Sequence, residues 1–196
     1  MDKLRIGQLN CRRSRTVMDE VRKAIEDHKL DIVCLQEPHT SRGRATGLPV
    51  TSRQVAQGNE PMAISVIINP EITATKISPH CDEHITTTEI RYRKLKFWLI
   101  NQYFQFNQPT DLHIEKLENS IRANNSPDTL FMGDVNAKSE QWYNEASDAA
   151  GDLLEHLFGM RNHGLSEVKI THKKKPSRWG SLARVPCVVR SGWRKK

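Results

Sequence analysis

Several features that would point to other classes of protein are absent from the sequence. Its 196 residues contain no apolar run near the roughly 18 residues that a membrane span requires. No long apolar stretch with a small-residue cleavage site follows Met1. These absences predict an intracellular chain without a membrane partner. The four cysteines form no Cys-x-x-Cys pair, which predicts reduced, structural thiols.

The nearest approach to a pattern of soft metal ligands is His80, Cys81 and His84. No fourth ligand follows at a suitable spacing, although a zinc site normally needs four. We therefore favour a polar loop at these residues and keep zinc as the minor alternative.

Acidic residues are absent from the C-terminal end of the chain. The last one is Glu167, and nine basic residues follow His172: Lys173, Lys174, Lys175, Arg178, Arg184, Arg190, Arg194, Lys195 and Lys196. Since the net charge of the whole chain is +7, the part before His172 is slightly acidic. We divide the chain into one domain over residues 1–161 and an atypical basic segment over 162–196, which is expected to be disordered.

The basic segment also permits a functional interpretation. The run Lys173-Lys174-Lys175-Pro176 resembles a nuclear localisation signal, and Trp179 and Trp193 could stack on nucleic-acid bases. Nuclear localisation is accordingly expected.

The period of the apolar residues predicts a layered α/β domain. Apolar runs at 4–9 and 31–36 flank a helix with a four-residue period, and Thr16 is its expected cap. Residues 38–60 are polar and glycine-containing, which predicts a long surface loop. Further strands are expected at 63–68, 85–92, 96–103 and 129–132, and further helices from Thr110 and from Ser147.

Polar side chains stand where three of these strands end. Asn10 ends the first, Glu37 follows the second, and Asp134 and Asn136 follow the last. If the strands are neighbours in one sheet, the four side chains converge on one edge of the sandwich, where they could hold a hard cation such as Mg²⁺. Taken singly, each is also a common turn residue, and the glycine before Asp134 is consistent with a tight turn.

In their order and local sequence, these residues resemble the endonuclease/exonuclease/phosphatase family. That family has an early strand-end Asn, a Gln-Glu motif and a later Gly-Asp-x-Asn motif. The segments RIGQLNCRRS, LDIVCLQEPH, INQYFQF and GDVNAKSEQW are more similar still to endonuclease domains of insect non-LTR retrotransposons, of the telomere-repeat-targeting TRAS type. The resemblance covers residues 4 to about 161. It implies a β-sandwich flanked by helices.

The resemblance also implies a role for each site residue. Glu37 would bind Mg²⁺ or Mn²⁺, with Asn10 as a second residue of the metal site. Tyr103 would contact the target phosphate, although a half-buried sheet aromatic is the alternative from sequence alone. Asp134 would orient or deprotonate the attacking water, and Asn136 would hydrogen-bond the phosphate region. The implied partners are double-stranded DNA and the reverse transcriptase domain of the same element.

The resemblance ends before the family's C-terminal motifs. Family members continue with an Asp before a Thr and finish with a Ser-Asp-His segment, whereas no Asp follows Asp152 in this sequence. An altered or truncated C-terminus is therefore expected. It makes a catalytically impaired remnant that binds nucleic acid the alternative to an active nuclease; a phosphatase or lipid phosphodiesterase is a third candidate.

Arginines follow two of the strand ends. Three come after Asn10 and two after Glu37: Arg12, Arg13, Arg15, Arg42 and Arg44. Placed at the same edge as the metal site, they would contact DNA phosphates. The alternative is a set of solvated surface charges.

Overall fold

The computed structural model describes residues 4–124, 128–137, 146–149 and 151–154. Its helices and strands follow the expected order. They are β1 (Ile6–Asn10), α1 (Arg15–His28), β2 (Ile32–Gln36), β3 (Thr40–Ser41), β4 (Arg44–Ala45), β5 (Arg53–Val55), β6 (Ala63–Ile67), β7 (Thr73–Lys76), β8 (Ile85–Tyr92), β9 (Leu95–Tyr103), α2 (Thr110–Ala123) and β10 (Thr129–Asp134). A single 3₁₀ turn, Ser78–His80, lies between β7 and β8.

Two four-stranded sheets have the same internal plan. One has the order β1-β2-β6-β5 and the other β10-β9-β8-β7. In each sheet, two neighbouring strands are parallel and are connected through a helix. Two further strands extend the sheet by antiparallel pairing. The carboxyl ends of parallel neighbours lie at one sheet edge, so Asn10 is level with Gln36 and Asp134 with Tyr103.

Strand alternation divides the apolar residues among three layers of core. Val33 and Leu35 face α1, where they pack with Met18 and Val21. Ile32 and Cys34, on the other face of β2, face the second sheet instead. They lie in a cluster with Leu99 of β9 and Met132 of β10. A third cluster packs α2 on the outer face of the second sheet through Leu117, Ile100 and Phe131. The result is a four-layer α/β/β/α sandwich, as expected from the sequence.

Several local predictions differ from the structure. Helix α1 is capped by Ser14, whose Oγ accepts the N–H of Val17 at 3.3 Å, so the expected cap Thr16 lies inside the helix. Thr110 is the first residue of α2 and makes no side-chain cap, because Pro109 occupies the cap position. Proline fixes its own φ and needs no N–H there.

Other differences concern short strands. Residues 38–60, expected to form a surface loop, contain the short strands β3, β4 and β5. The edge strand β7 was not predicted either. Strands of two to four residues have too few alternating positions to give a periodic signal. The helix expected from Ser147 is described only in part, since Leu157 and Phe158 lie outside the described residues. Among the described helices, none is both long and apolar enough to cross a membrane.

Candidate active site

The space between the two sheets becomes polar toward one end. Inward-facing positions on β1 run Ile6, Gln8, Asn10, and those on β10 run Leu130, Met132, Asp134, so each strand changes from apolar to polar along its length. Gln8 Nε2 donates a 2.6 Å hydrogen bond across the sheets to the carbonyl of Gly133. The strands themselves thus deliver polar side chains to one edge of the sandwich.

Asn10 connects two carboxylates that come from different sheets, so the expectation that the three strands are neighbours in one sheet is wrong, although their ends do converge. Its Nδ2 donates to Glu37 Oε1 and to Asp134 Oδ2, each at 2.7 Å. The two acceptor oxygens therefore lie within 2.7 Å of one nitrogen and no farther apart than twice that distance. Asn10 Oδ1 accepts the backbone N–H of Arg12 at 2.8 Å, which fixes the amide with its NH₂ toward the carboxylates.

The backbone at Glu37 turns its side chain into this junction. Glu37 has a φ of 46°, in the left-handed region that is costly for a residue with a side chain. Two backbone hydrogen bonds hold the turn: Glu37 donates to the Met62 carbonyl at 2.8 Å and accepts from Arg13 at 2.7 Å. Arg12, Arg13 and Asn136 also have positive φ values, so strained backbone is concentrated at this edge.

Gly133 has a different role from the tight turn considered in the sequence. It lies within β10, and a Cβ there would meet the Gln102 carbonyl and the Phe131 ring, each at 2.8 Å. The glycine therefore lets β10 pack closely against β9 just before Asp134.

Tyr103 lies at the end of β9, beside Asp134 in the strand register, and is 6% exposed. Burial raises the pKa of Tyr103 to about 12, and the charge of Glu37 and a hydrogen bond with it act in the same direction. The charge of Asp134 raises the pKa further, whereas a hydrogen bond with Asn136 lowers it. Its hydroxyl is therefore protonated at neutral pH and can donate a hydrogen bond.

Asn136 follows Asp134 on the same edge and is exposed. Its Nδ2 donates to the Phe104 carbonyl at 2.7 Å, and its backbone N–H approaches Asp134 Oδ1 at 3.4 Å. The structure thus places all five predicted catalytic residues together: Asn10, Glu37, Tyr103, Asp134 and Asn136.

The donor set fits a hard divalent cation. Glu37 and Asp134 bring two carboxylates together, and within the described residues neither forms an ion pair with a basic side chain. Mg²⁺ is commonly bound by one or two carboxylates, with water and substrate oxygens completing its shell. In the present orientation Asn10 offers nitrogen rather than oxygen to this junction, so its predicted role as a ligand would require rotation of the amide.

The minor zinc alternative gains no support from the described residues, which contain no group of three or more His, Cys, Asp or Glu side chains placed to bind a metal. Cys81 Sγ instead contacts the carbonyls of Ile77 and Thr87 and the N–H of Thr87.

The predicted DNA-contacting arginines are all exposed. Arg12 and Arg13 lie at the site edge through their backbone contacts with Asn10 and Glu37. Arg15 is the first residue of α1, and the β3–β4 hairpin carries Arg42 and Arg44. The structure supports a position at the site edge directly for the first two only.

A layer of buried polar residues beneath the site was missed in the sequence. Gln36 Nε2 donates to Asn101 Oδ1 at 2.6 Å, and Asn101 Nδ2 donates to the carbonyls of Leu35 and Ile64. Beside Tyr103, the rings of His84 and His113 have centroids 5.5 Å apart. The sequence does contain a signal for this layer, because Gln36 and Asn101 are polar residues within otherwise apolar strands. Predicting that they meet requires knowing which strands face each other.

The described fold is a two-sheet sandwich whose adjoining strand ends carry paired carboxylates, amides and a tyrosine, an arrangement suited to hydrolysis of phosphate esters. A family model described as the endonuclease/exonuclease/phosphatase family matches residues 7–187, and the chain belongs to this family. The match extends past residue 161, into the basic segment of residues 162–196. The domain boundary at residue 161 stays a prediction. The family consists of hydrolases that include nucleases.

Among solved structures, the chain is similar to the endonuclease domain of TRAS1, a telomere-specific non-LTR retrotransposon. Sequence identity is 27% and the TM-score 0.70, over 86% of this chain and 75% of that one. An AP endonuclease from Archaeoglobus fulgidus shares the fold, with 15% identity and a TM-score of 0.55 over 89% and 80% of the two chains. A mannosyl-6-phosphatase from Bacteroides thetaiotaomicron also shares the fold, with 11% identity and a TM-score of 0.54 over 79% of this chain and 70% of that one. No curated protein sequence matches the chain.

Proposed function

We propose that this chain is a divalent-metal-dependent endonuclease that nicks one strand of duplex DNA. The observation that carries the proposal is the junction of Asn10 with Glu37 and Asp134, beside the protonated hydroxyl of Tyr103. The similarity to a retrotransposon endonuclease domain favours DNA over other phosphate esters.

Each side chain has a task in hydrolysis of a phosphodiester. Asp134 lies half-exposed at the site edge, where its carboxylate orients the attacking water and accepts its proton as the water oxygen bonds to phosphorus. The bond from phosphorus to the 3′ oxygen breaks, and the leaving oxygen takes a proton from solvent to become the 3′-hydroxyl. The Tyr103 hydroxyl, which is hydrogen-bonded with Glu37 in the free protein, would turn to donate its hydrogen to a phosphate oxygen, and Asn136 would bind the phosphate region. Glu37 would hold Mg²⁺ or Mn²⁺, with Asn10 keeping the carboxylates in place; when bound, the cation would offset negative charge at the phosphate.

The biological role we propose is target-primed reverse transcription. A nick that leaves a 3′-hydroxyl would provide the primer for a reverse transcriptase domain of the same element, acting in the nucleus. The proposed target is telomeric repeat DNA. Nicks mapped on plasmids with and without telomeric-repeat inserts would test this point, and equal nicking of both would exclude repeat specificity.

A second candidate is a catalytically impaired protein that binds nucleic acid. The lack of any Asp after Asp152 favours it, because residues 153–196 cannot form the Ser-Asp-His segment that the family resemblance implies; His163 and His172 are present, but neither follows an Asp.

Conversion of supercoiled plasmid to open circles tests the proposal. With protein in excess, we expect slow conversion in Mg²⁺ and none in EDTA, and Glu37→Gln should abolish it. The matched control is Glu26→Gln, which changes an exposed glutamate on α1 and should leave conversion unchanged. Binding to the plasmid without any metal-dependent conversion would favour the second candidate.

A further inference from the structure

One aromatic side chain near the site is exposed to solvent. Among the described Phe, Tyr and Trp residues, six are at most 9% exposed: Tyr92, Phe97, Trp98, Tyr103, Phe104 and Phe131. Phe106 is 89% exposed and follows Tyr103 by only three residues. Isolated apolar residues on a surface are ordinary, so exposure alone would mean little. Its position beside the site is the informative feature.

The segment carrying Phe106 is held in place by residues of the site. Phe104 donates its N–H to the Asp134 carbonyl at 2.9 Å, and its own carbonyl accepts Asn136 Nδ2. The next residue, Gln105, donates its N–H to His113 Nε2 at 3.2 Å. Phe106 therefore begins from a fixed backbone.

The segment also closes on the far side of Phe106. The N–H of Gln108 donates to the Gln105 carbonyl at 3.0 Å, and Gln108 Nε2 lies 3.4 Å from His84 Nε2. A turn fixed on both sides loses little conformational entropy when its tip meets a ligand. The exposed phenyl ring is thus carried by a backbone that is held on both sides.

Distance limits what this ring can contact. Three residues of chain span at most about 11 Å, and duplex DNA advances about 3.4 Å per base pair. If Tyr103 contacts the scissile phosphate, the backbone of Phe106 starts within about 11 Å, or roughly three base pairs, of the Tyr103 backbone, and its ring can reach bases near the cut. An apolar ring gains nothing from phosphates, but it can pack against a base or enter a partly opened base step.

We propose that Phe106 packs against a base step of duplex DNA beside the scissile phosphate and helps to select where the strand is cut. This inference rests on the proposed function, since it needs DNA at the site. Pyrimidine–purine steps are the easiest to open, so a ring that enters a step favours cutting near them. The arginines at the edge would hold the phosphates, whereas Phe106 would sense the bases.

Binding of labelled duplex DNA to the full chain in EDTA tests the proposal without cleavage. The Phe106→Ala variant should bind the duplex roughly 5- to 150-fold more weakly than the wild type, because it loses one base–aromatic contact. Phe106→Trp should retain affinity because it retains the stacking surface. Leu112→Ala, at a residue 49% exposed on α2, is the matched control and should bind like the wild type.

Two further measurements separate a base contact from other causes. The dependence of affinity on salt should be the same in Phe106→Ala and the wild type, because no phosphate contact is removed. The loss should also be larger on a duplex with a mismatch at the contacted step, because opening that step costs less and offsets less of what the ring gains. Equal unfolding temperatures of the variants would show that the fold is retained.

The outcomes distinguish this inference from the proposed function. If the wild type binds duplex DNA and Phe106→Ala binds equally well, the inference fails and the proposed function stands. A shallower salt dependence in Phe106→Ala would also overturn it, by indicating a phosphate contact. If the wild type shows no salt-dependent binding to duplex DNA, both fail together.

Discussion

Gln36 and Asn101 join the two sheets through a 2.6 Å hydrogen bond between fully buried side chains. The bond lies beneath the site, since Gln36 precedes Glu37 and is level with Asn10 in the strand register. Among the described residues, Gln36 Oε1 has no hydrogen-bond partner, so this side chain already carries part of the cost of burial. Its contact with Asn101 is therefore important for the alignment of the sheets.

Asn101→Ala should lower the free energy of unfolding by about 2–4 kcal/mol, because it leaves the buried Gln36 amide without its acceptor. Urea unfolding measures the change. The double variant Gln36→Leu with Asn101→Leu should be more stable than Asn101→Ala, since no buried donor is then unpaired. A double variant less stable than the single one would contradict this account.

Asn10→Ala should lower the unfolding temperature more in EDTA than in Mg²⁺. Without the amide, Glu37 and Asp134 repel each other, and a bound cation would offset that repulsion. The cost in EDTA should be about 2 kcal/mol, from the loss of hydrogen bonds to charged acceptors at a half-buried position. Thermal unfolding in both buffers tests this; a difference that widens in Mg²⁺ would instead identify Asn10 as a metal ligand.

Stability should fall as the pH decreases from about 6.5 toward 4. Burial lowers the pKa of His113 from 6.5 to about 4, and the nearby His84 adds to the shift. The unfolded chain therefore binds more protons in this range, which favours unfolding as the pH falls; above 6.5 the contribution of His113 is fully present. At about 1.4 kcal/mol per pKa unit, the effect is at most about 3 kcal/mol.

Urea unfolding at several pH values would measure this dependence. His113→Gln can still accept the Gln105 N–H but does not titrate, so its stability should change less between pH 6.5 and 4. His28→Gln removes an exposed histidine from α1 and should retain the wild-type dependence. Identical slopes for all three proteins would show that His113 is not the responsible group.

Replacing residues 162–196 with a family-like C-terminal segment that ends in Ser-Asp-His should increase nicking by about 10²- to 10³-fold. The added pair would stabilise charge at the phosphate, and loss of one such positioned group commonly costs this much. Plasmid nicking by both proteins in Mg²⁺ makes the comparison, with Asp→Asn in the added segment as control. Equal rates for the original and replaced chains would show that the pair is not needed.

The long strands and the order of the site residues could be predicted from the sequence. Apolar runs predict strands such as β2 and β9, and the amide and carboxylates at strand ends predict a site at the edge of the sandwich. Asn10, Glu37 and Asp134 indeed meet there. Parallel pairing accounts for the neighbours within each sheet, because it brings the carboxyl ends of β1 and β2 to one edge and those of β9 and β10 to another. The meeting of Asn10 with Asp134 depends in addition on how the two sheets pack.

The contacts between the sheets could not be predicted in the same way. Nothing in a single strand indicates that Gln36 faces Asn101, because this depends on how two sheets pack. The cap at Ser14 was missed because Thr16 offered an equally good capping pattern two residues later. The exposure of Phe106 likewise depends on the turn after β9, and the spacing of apolar residues in the sequence does not predict it.

The hydrogen bond from Asn10 to Asp134 spans 124 positions of the sequence. Asn10 and Glu37 belong to the sheet built from the first part of the chain, whereas Tyr103 and Asp134 belong to the sheet built afterward. Neither sheet alone contains both carboxylates. Hydrolytic competence would therefore appear only when the two halves dock, and an incomplete or partly unfolded chain would lack the means to cut the DNA around it.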